Sequence, residues 1–324
     1  MMKLLSPLNE TCNVKELSRY ADEYYLGVCD EEWQKYQSKE FNARGFSQRS
    51  NFSGWEALSA AVSQARDSGI PCYLTVNTHN IGRDGMEIVH HIIDRFQQIG
   101  GEGIISSNLD AMLYARGKHM KVMVSTIVGI YNEDAIRMIC ELVHPDRIVL
   151  NRDMRYDSVL RLRQLFPDIE LEVFGAFFGC KYSNAFCYCS HQRDTGGMCR
   201  MMALSEWSFK NKYELPDSRD LFETEKNHWL YANYLFDGAC SVCALYRLSH
   251  IGIDSLKIVG REMTGEKLLC AVQQMSYYLN LAREAESEKE YFSALTENPV
   301  GTSHLGCFGG YQCYYPEISH RGFW

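Results

Sequence analysis

The sequence predicts an α/β protein, a (β/α)8 TIM-like barrel with a cysteine-rich insertion between strands seven and eight. Short runs rich in Val, Ile, Leu and Tyr alternate with amphipathic stretches along most of the 324 residues. Such alternation favours a parallel sheet with both faces covered. Eight runs in a chain of this length fit a closed barrel better than the alternative, an open doubly wound sheet with a small second domain.

The strands and helices are predicted in order along the chain. The strands are residues 3–6, 24–28, 73–77, 103–107, 122–128, 147–151, 171–176 and 256–259. Helices are predicted between them at 53–68, 85–99, 132–143 and 157–166. Ser53 and Glu56 have the spacing of a capping box at the start of the first helix. The last two helices end before Pro145 and Pro167.

The interval between the seventh and eighth runs is far longer than a helical crossover requires. It contains six of the 13 cysteines, namely Cys180, Cys187, Cys189, Cys199, Cys240 and Cys243. We therefore expect residues 1–285 to form the barrel, including a cysteine-rich insertion at 177–245. Residues 286–324 are expected to be a tail that packs on the barrel.

The charge and the apolar pattern exclude some classes of function. A net charge of −8 argues against non-specific nucleic-acid binding, although a local basic pocket is compatible with it. No apolar run reaches the roughly 18 residues that a membrane span needs, and no secretory signal is visible. We therefore expect a cytoplasmic protein without membrane association, in which cysteines more often bind metal or catalyse than form disulfides.

The cysteines of the insertion have the chemistry of soft metal ligands. Four thiolates suit either tetrahedral zinc or an iron–sulfur cluster. Zinc sites usually contain pairs about two to four residues apart. The step from Cys187 to Cys189 is tighter than this and the step from Cys180 to Cys187 is wider. The spacing favours an iron–sulfur cluster, and the alternative is that several of these cysteines are small buried side chains.

Six segments form a combination that is more specific than any one of them. They are 41–44 (FNAR), 75–77 (TVN), 149–152 (VLNR), 172–174 (EVF), 180–187 (CKYSNAFC) and 254–261 (DSLKIVGR). Together they resemble the family historically called peptidase U32, over roughly residues 1–285. The chain departs from the family pattern at Val259, where Glu is usual, and at 177–179. The step from Cys187 to Cys199 is shorter than usual.

The resemblance implies a [4Fe–4S] cluster, with zinc as the weaker candidate. Bacterial family members hold such a cluster on four cysteines. The corresponding ligands here are Cys180, Cys187, Cys199 and Cys240. Cys240 is chosen because the fourth cysteine of the family stands fifteen residues before the serine that matches Ser255. Cys243 and Cys189 are the alternatives to these ligands.

The carboxyl ends of barrel strands build the active site, so polar side chains there are candidates for substrate binding. These are Asn42, Arg44, Asn77, Ser125, Asn151, Arg152 and Arg261. We expect Arg152 and Arg261 to anchor a carboxylate, because a planar guanidinium binds carboxylates bidentately. The alternative for each arginine is a surface ion pair.

Catalytic roles are predicted for Glu172, His79 and Lys257. Glu172 on strand seven could donate a proton or orient an arginine. His79 could act as a general acid or base near neutral pH, although it could also be polar lining of the pocket. Lys257 could point into the barrel as a reactive group or hold an ion partner in the core.

The resemblance further implies an oxidoreductase. Several family members hydroxylate ubiquinone precursors, a tRNA uridine or ribosomal RNA without dioxygen, and some take the oxygen atom from prephenate. We therefore expect an oxygen-independent hydroxylase of a small organic, modified-peptide or RNA substrate, with a prephenate-like carboxylate co-substrate. The acidic charge favours the first two substrate classes over RNA.

Two alternatives to this function remain. Other family members were described as collagen-degrading proteases, so a U32-type peptidase is one. No Gly-x-Ser-x-Gly or His-Glu-x-x-His motif supports hydrolysis. The other is a non-catalytic iron–sulfur subunit that works with a protein partner.

Overall fold

The fold is a closed barrel of eight parallel strands. The computed structural model describes residues 1–36, 42, 50–77, 81–176, 239–297 and 313–318. The strands pair in chain order, and β8 pairs back to β1. The predicted (β/α)8 barrel is confirmed, and the open-sheet alternative is wrong. The strands are β1 (Lys3–Pro7), β2 (Glu23–Leu26), β3 (Cys72–Val76), β4 (Gly103–Ser106), β5 (Lys121–Val124), β6 (Arg147–Val149), β7 (Glu170–Phe174) and β8 (Ser255–Lys257).

Helices follow most of the strands and cover the outside of the barrel. Those in the described ranges are α1 (Val14–Leu17), α2 (Glu31–Tyr36), α3 (Trp55–Asp67), α4 (Arg83–Gln98), α5 (Leu109–Gly117), α6 (Glu133–Val143), α7 (Tyr156–Leu165), α8 (Leu245–His250), α9 (Gly265–Glu284) and α10 (Glu288–Glu297). The four predicted helices correspond to α3, α4, α6 and α7. Of the helices described, none has the length and apolar character needed to cross a membrane.

The start of α3 differs from the expectation. The helix begins at Trp55, and its N-cap is Gly54, which offers no side chain. Ser53 donates from both its amide and its hydroxyl to the carboxylate of Glu10, at 2.5 and 2.6 Å. The predicted capping box of Ser53 and Glu56 is therefore wrong, because Glu10 already engages the Ser53 hydroxyl.

β5 ends earlier than the predicted run 122–128. The chain leaves the sheet at Ser125, whose Oγ accepts the N–H of Ile127 at 3.4 Å and starts a 3-10 turn at Thr126–Val128. Gly129 follows with a φ of 82°, a left-handed conformation that favours glycine. An apolar run can therefore continue as a capped turn, which composition alone does not distinguish from a strand.

The barrel has two distinct cores. The larger apolar core lies between the strands and the surrounding helices. Inside the barrel a smaller apolar layer consists of Leu5, Tyr25, Tyr73, Ile105 and Met123. Charged side chains occupy the interior towards the amino ends of the strands, and both polar and charged side chains lie at the carboxyl ends. The barrel interior therefore contains charged and polar side chains in addition to an apolar layer.

The chain returns from the insertion to the carboxyl end of β7. Cys240 pairs there with Ala176 as an isolated antiparallel bridge. The N–H of Tyr314 donates to the Cys240 carbonyl at 2.9 Å, so residues 313–318 come to the same place. The division into 1–285 and 286–324 stays a prediction, because residues 177–238 and most of the tail lie outside the described residues.

Candidate active site at the carboxyl ends of the strands

An ion pair between β7 and β8 lies at the base of the candidate site. Lys257 Nζ donates to Glu172 Oε1 at 3.0 Å. The ammonium also lies 4.1 Å from the centre of the Tyr25 ring on β2. Glu172 has 0% of its surface exposed, and Lys257 is buried. The structure thus brings two of the three predicted catalytic residues into contact inside the barrel, while their catalytic roles stay predictions.

Arg147 on β6 crosses the barrel interior below this pair. Its NH1 donates to Glu172 Oε2 at 3.1 Å, and its two terminal nitrogens bond to Glu23 at 2.6 and 2.8 Å. Glu23 is on β2, which lies opposite β6 in the ring. Arg147 Nε bonds to Glu170 at 2.7 Å, and Lys3 bonds to the same carboxylate at 2.8 Å. The charged network consists of Lys3, Arg147 and Lys257 with Glu23, Glu170 and Glu172.

Burial and charge act in opposite directions on the pKa values of this network. Burial raises the pKa of Glu172, but Lys257 and Arg147 outweigh it, and the pKa lies below its usual value. For Lys257, burial lowers the pKa, Glu172 raises it, and Arg147 and Arg152 lower it further. The net direction is downward, so Lys257 releases its proton more readily than an exposed lysine does.

Arg261 follows β8 and lies across the strand ends. Its NH1 donates to Thr75 Oγ1 at 2.8 Å and to Asn51 Oδ1 at 3.4 Å. Gly27 makes this arrangement possible, because a Cβ there would lie 2.1 Å from Asn51 Oδ1 and 2.6 Å from Arg261 NH1. Asn9 Nδ2 donates to the carbonyl of Arg261 at 2.6 Å. Thr75 and Asn51 thus orient the guanidinium through neutral hydrogen-bond acceptors.

Asn42 and Asn77 lie beside the Arg261 cluster. Asn42 Nδ2 donates to Asn51 Oδ1 at 3.2 Å, and Asn42 Oδ1 accepts the N–H of Asn77 at 3.3 Å. Asn77 Oδ1 is buried without a hydrogen-bond partner among the described residues. The structure therefore brings three of the predicted substrate-binding residues together at one side of the barrel mouth.

Asn151 and Ser125 hold the loop that follows β5. Asn151 accepts from Thr126 Oγ1 at 3.0 Å and donates to the carbonyl of Ile130 at 2.8 Å. Ser125 caps the 3-10 turn of this loop. Both lie at the carboxyl ends as expected, and the hydrogen bonds described for them support the loop.

Arg152 packs against an aromatic ring at the mouth. Its Cζ lies 3.7 Å from the centre of the Phe174 ring on β7. Burial raises the pKa of Tyr25, and Arg261 and Arg152 are near enough to oppose that effect. Lys257, Arg152 and Arg261 therefore lie around Tyr25, and the carboxylates of Glu172 and Glu262 are near the same ring.

Cys240 is the predicted cluster ligand that falls within the described residues. Its Sγ accepts the N–H of Val242 at 3.4 Å, a bond that suits a thiolate ligand. Cys180 stands four residues beyond Ala176, the bridge partner of Cys240, so the chain is long enough for the two thiols to meet. The Cys240 thiol thus has the donor chemistry that the predicted iron–sulfur cluster requires.

The other predicted ligands, Cys180, Cys187 and Cys199, lie outside the described residues, as do the alternative ligand Cys189 and the site residues His79 and Arg44. Within the described ranges alone, no three His, Cys, Asp or Glu side chains form a metal site.

Several residues of the site were not predicted. Arg147 stands two and four residues before Val149 and Asn151 in one predicted strand, so the two-residue period places all three on one face. That signal could have identified Arg147 as an inward charge. Asn51 carried no such signal, because only the folded chain brings its loop to Arg261.

The protein is therefore of the (β/α)8-barrel class, and its candidate site, with cationic side chains and a cysteine, lies at the carboxyl ends of the strands. The family model described as Peptidase family U32 matches residues 11–322. The chain belongs to this family.

Two curated relatives are collagenases of Porphyromonas gingivalis. One, from strain ATCC BAA-308 / W83, is 27% identical over 171 residues, which cover 48% of this chain and 41% of the relative. The other is 39% identical over 74 residues, which cover 23% of this chain and 20% of that protein. The matches thus span less than half the length of these relatives.

Similar solved structures include the U32 peptidase Mk0906, with a TM-score of 0.44 and 14% identity over 55% of this chain and 70% of that one. N-acetylneuraminate lyase from Fusobacterium nucleatum has a TM-score of 0.48 and 12% identity over 96% and 84%. Likeness at these identities concerns the fold alone, and the barrel assignment rests on the strand order.

Proposed function

We propose that the chain is a [4Fe–4S]-dependent oxidoreductase that hydroxylates an organic substrate without dioxygen and takes the oxygen atom from a prephenate-like carboxylate co-substrate. The observation that carries this proposal is the placement of Cys240 at the end of β7, beside strand ends that bear Lys257, Arg152 and Arg261. A cysteine and cationic side chains at one end of a barrel support a redox group that acts beside a bound anion. Small organic molecules and modified peptides are the favoured substrates, with RNA as a further class.

The cluster is held in this proposal by Cys180, Cys187, Cys199 and Cys240. Such a cluster supplies electron transfer to or from a substrate bound beside it. The N–H of Val242 points at the sulfur of Cys240 and stabilises its thiolate form. Cys243, three residues further on, is the alternative ligand.

The residues around Tyr25 bind and orient the anion. Arg261 is held by Thr75 and Asn51, and Arg152 packs on the Phe174 ring, so both guanidinium groups have set orientations, which supports a role as carboxylate anchors. A prephenate-like dicarboxylate matches two such anchors. Lys257, with its lowered pKa, is placed to give or take a proton at the substrate.

Anaerobic purification followed by iron and sulfide quantitation tests the cluster. We expect about four iron and four sulfide per chain, with absorbance near 400 nm. Cys240→Ser should lower the iron content, whereas Cys270→Ser, on the exposed side of α9, should not. Cys243→Ser separates the two alternative ligands. Full iron content in Cys240→Ser and loss in Cys243→Ser would transfer the role to Cys243, and an iron-free wild type would refute the proposal.

The second candidate is a peptidase, favoured by the family description and by the name of the Porphyromonas relatives. A Ser–His contact in the described ranges joins Ser249 Oγ and His250 Nδ1 at 3.3 Å, but it is exposed on α8, outside the barrel. Digestion of gelatin by cluster-free protein would favour this candidate. Digestion that survives Cys240→Ser would do so as well.

A partner subunit is the remaining proposal. In that case the purified chain holds the cluster but gains activity only when a second protein is added. Activity of the isolated chain at the level found in cell extract would exclude the need for a partner.

A further inference from the structure

The carboxylate of Glu172 is shared between two cations that lie at different depths of the barrel. Its Oε1 accepts from Lys257, which faces the pocket, at 3.0 Å. Its Oε2 accepts from Arg147, which lies deeper, at 3.1 Å. All three side chains are buried, so solvent screens these interactions weakly. A change in the charge of Arg147 is therefore felt at Lys257 through one carboxylate.

The network continues to the opposite end of the barrel without becoming a proton path. Glu170 links Arg147 to Lys3, and both Glu170 and Lys3 are partly exposed at the amino ends of the strands. A proton relay along this line would have to pass through Arg147, which does not lose its proton in proteins. The arginine thus blocks proton transfer and transmits only charge and position.

We infer that Arg147 is a positioning residue that sets the protonation state of Lys257 through the shared carboxylate of Glu172. Lys257 is thereby prepared to exchange a proton with an anion bound at the carboxyl ends of the strands. The inference rests on the proposed function for the location of the substrate, but the effect of Arg147 on Lys257 is independent of it.

The charges that face Lys257 act with different signs. They are Glu172 from β7, Arg147 from β6, Arg152 after β6, and Tyr25 from β2 with Arg261 lying over its ring. Glu172 attracts the ammonium, and the arginines repel it. Arg147 adds repulsion and also binds the carboxylate that would otherwise belong to Lys257 alone. Glu23, with two bonds to Arg147, holds the arginine in this place.

Competitive acetylation measures the protonation state of Lys257 directly. The folded full-length protein is treated with trace deuterated acetic anhydride between pH 6 and 11. It is then unfolded and fully acetylated with the ordinary reagent. Mass spectrometry of the peptide that contains Lys257 gives the pH midpoint of its reactivity, without any need for activity or substrate.

Two substitutions should shift this midpoint in opposite directions. Arg147→Met removes a like charge and should raise the midpoint by about one pH unit. Glu172→Gln removes the opposite charge and should lower it by a similar amount. Arg163→Met is the matched control. Arg163 is a buried arginine paired with Asp254 at 2.7 Å outside the barrel interior, so its loss should leave the Lys257 midpoint unchanged.

Where Arg147→Met does not fold, Glu23→Gln takes its place, and it should lower the midpoint because it removes a negative charge from the network. Shifts of the same sign in Arg147→Met and Glu172→Gln would overturn the inference, as would equal effects of Arg147→Met and Arg163→Met. Absence of labelling at Lys257 up to pH 11 would also overturn it, since a pocket amine must be reachable by a small reagent. Opposite shifts in an iron-free protein would support the inference while the proposed cluster function fails.

Discussion

Residue 27 is a glycine, and its lack of a side chain allows Arg261 to adopt its orientation. The strand end at Gly27 is in such close contact with Asn51 and Arg261 that even a methyl group would overlap them. The amide of Asn51 also receives the side chain of Asn42. One glycine directly after β2 therefore permits a cluster drawn from three separate parts of the chain. The orientation of the guanidinium is set by packing as much as by hydrogen bonds.

Arg261→Ala tests whether this guanidinium binds an anion. We expect weaker binding of a prephenate-like dicarboxylate by about 1.5–3 kcal/mol, because a charged hydrogen-bonding partner is lost. Isothermal titration calorimetry of anaerobic protein measures this change, and the iron content should stay the same. Arg161→Ala is the control, since Arg161 pairs with Glu133 on the outer surface. Equal affinity in the wild type and Arg261→Ala would place the anion elsewhere.

At the scale of single elements, the hydrophobic pattern predicted that a strand or helix exists better than it predicted where that element ends. Every predicted strand is present. Short β-branched runs between amphipathic stretches are typical of buried strands in a barrel. The ends depend on local competition for hydrogen bonds. Ser125 turns the chain out of β5, and Ser53 binds Glu10 instead of capping α3. The hydrogen-bond partner that decides a helix or strand end is remote in sequence for Ser53 and two residues away for Ser125. A hydrophobic pattern does not identify either kind of partner.

The same limit applies to the candidate site. Asn77 and Arg261 could be predicted, because they stand at or just past the end of a strand run, and Asn42 could be predicted from the segment 41–44 that resembles the family. Asn51 and Glu23 could not, because they matter only through contacts across the folded barrel. A strand pattern identifies which end a residue occupies, and it does not identify which residues of that end touch.

The N-cap of α6 offers a test of helix ends. Asn132 Oδ1 accepts the N–H of Ala135 at 2.9 Å, so Asn132→Ala should cost about 1 kcal/mol of unfolding free energy. Glu56→Ala, which removes half of the capping box that α3 lacks, should change stability by less than about 0.5 kcal/mol. Urea denaturation followed by circular dichroism compares the two variants. A larger loss of unfolding free energy for Glu56→Ala than for Asn132→Ala would show that Glu56 does cap α3.

At the scale of the whole molecule, the buried charges make stability depend on pH. Burial raises the pKa of Glu172 and of Glu170, but their cationic partners outweigh it and hold both below the usual value. A carboxyl group with a lower pKa in the folded state stabilises the fold above the pKa of the unfolded chain, about 4.3. That contribution is lost as the pH falls through the folded-state pKa.

We therefore expect the free energy of unfolding to fall between about pH 5 and pH 3, as these carboxylates take up protons and lose their ion pairs with Arg147. Urea midpoints measured across this range give the slope. In Glu172→Gln the slope should be shallower, because one titrating group is gone. A constant midpoint from pH 6 to pH 3 in the wild type would show that the network contributes no linkage.

The pairing of β1 with β8 leaves β1 with an open edge in the nascent chain. Leu4 and Leu5 line a strand whose neighbour on one side is made only when residues 255–257 leave the ribosome. Until then β1 and the last strand synthesised are open edges, and parallel pairing over so long a separation is slow. The half-made barrel therefore exposes unpaired strand edges for most of its synthesis. Aggregation during translation, rather than instability of the finished fold, should limit its yield in a cell.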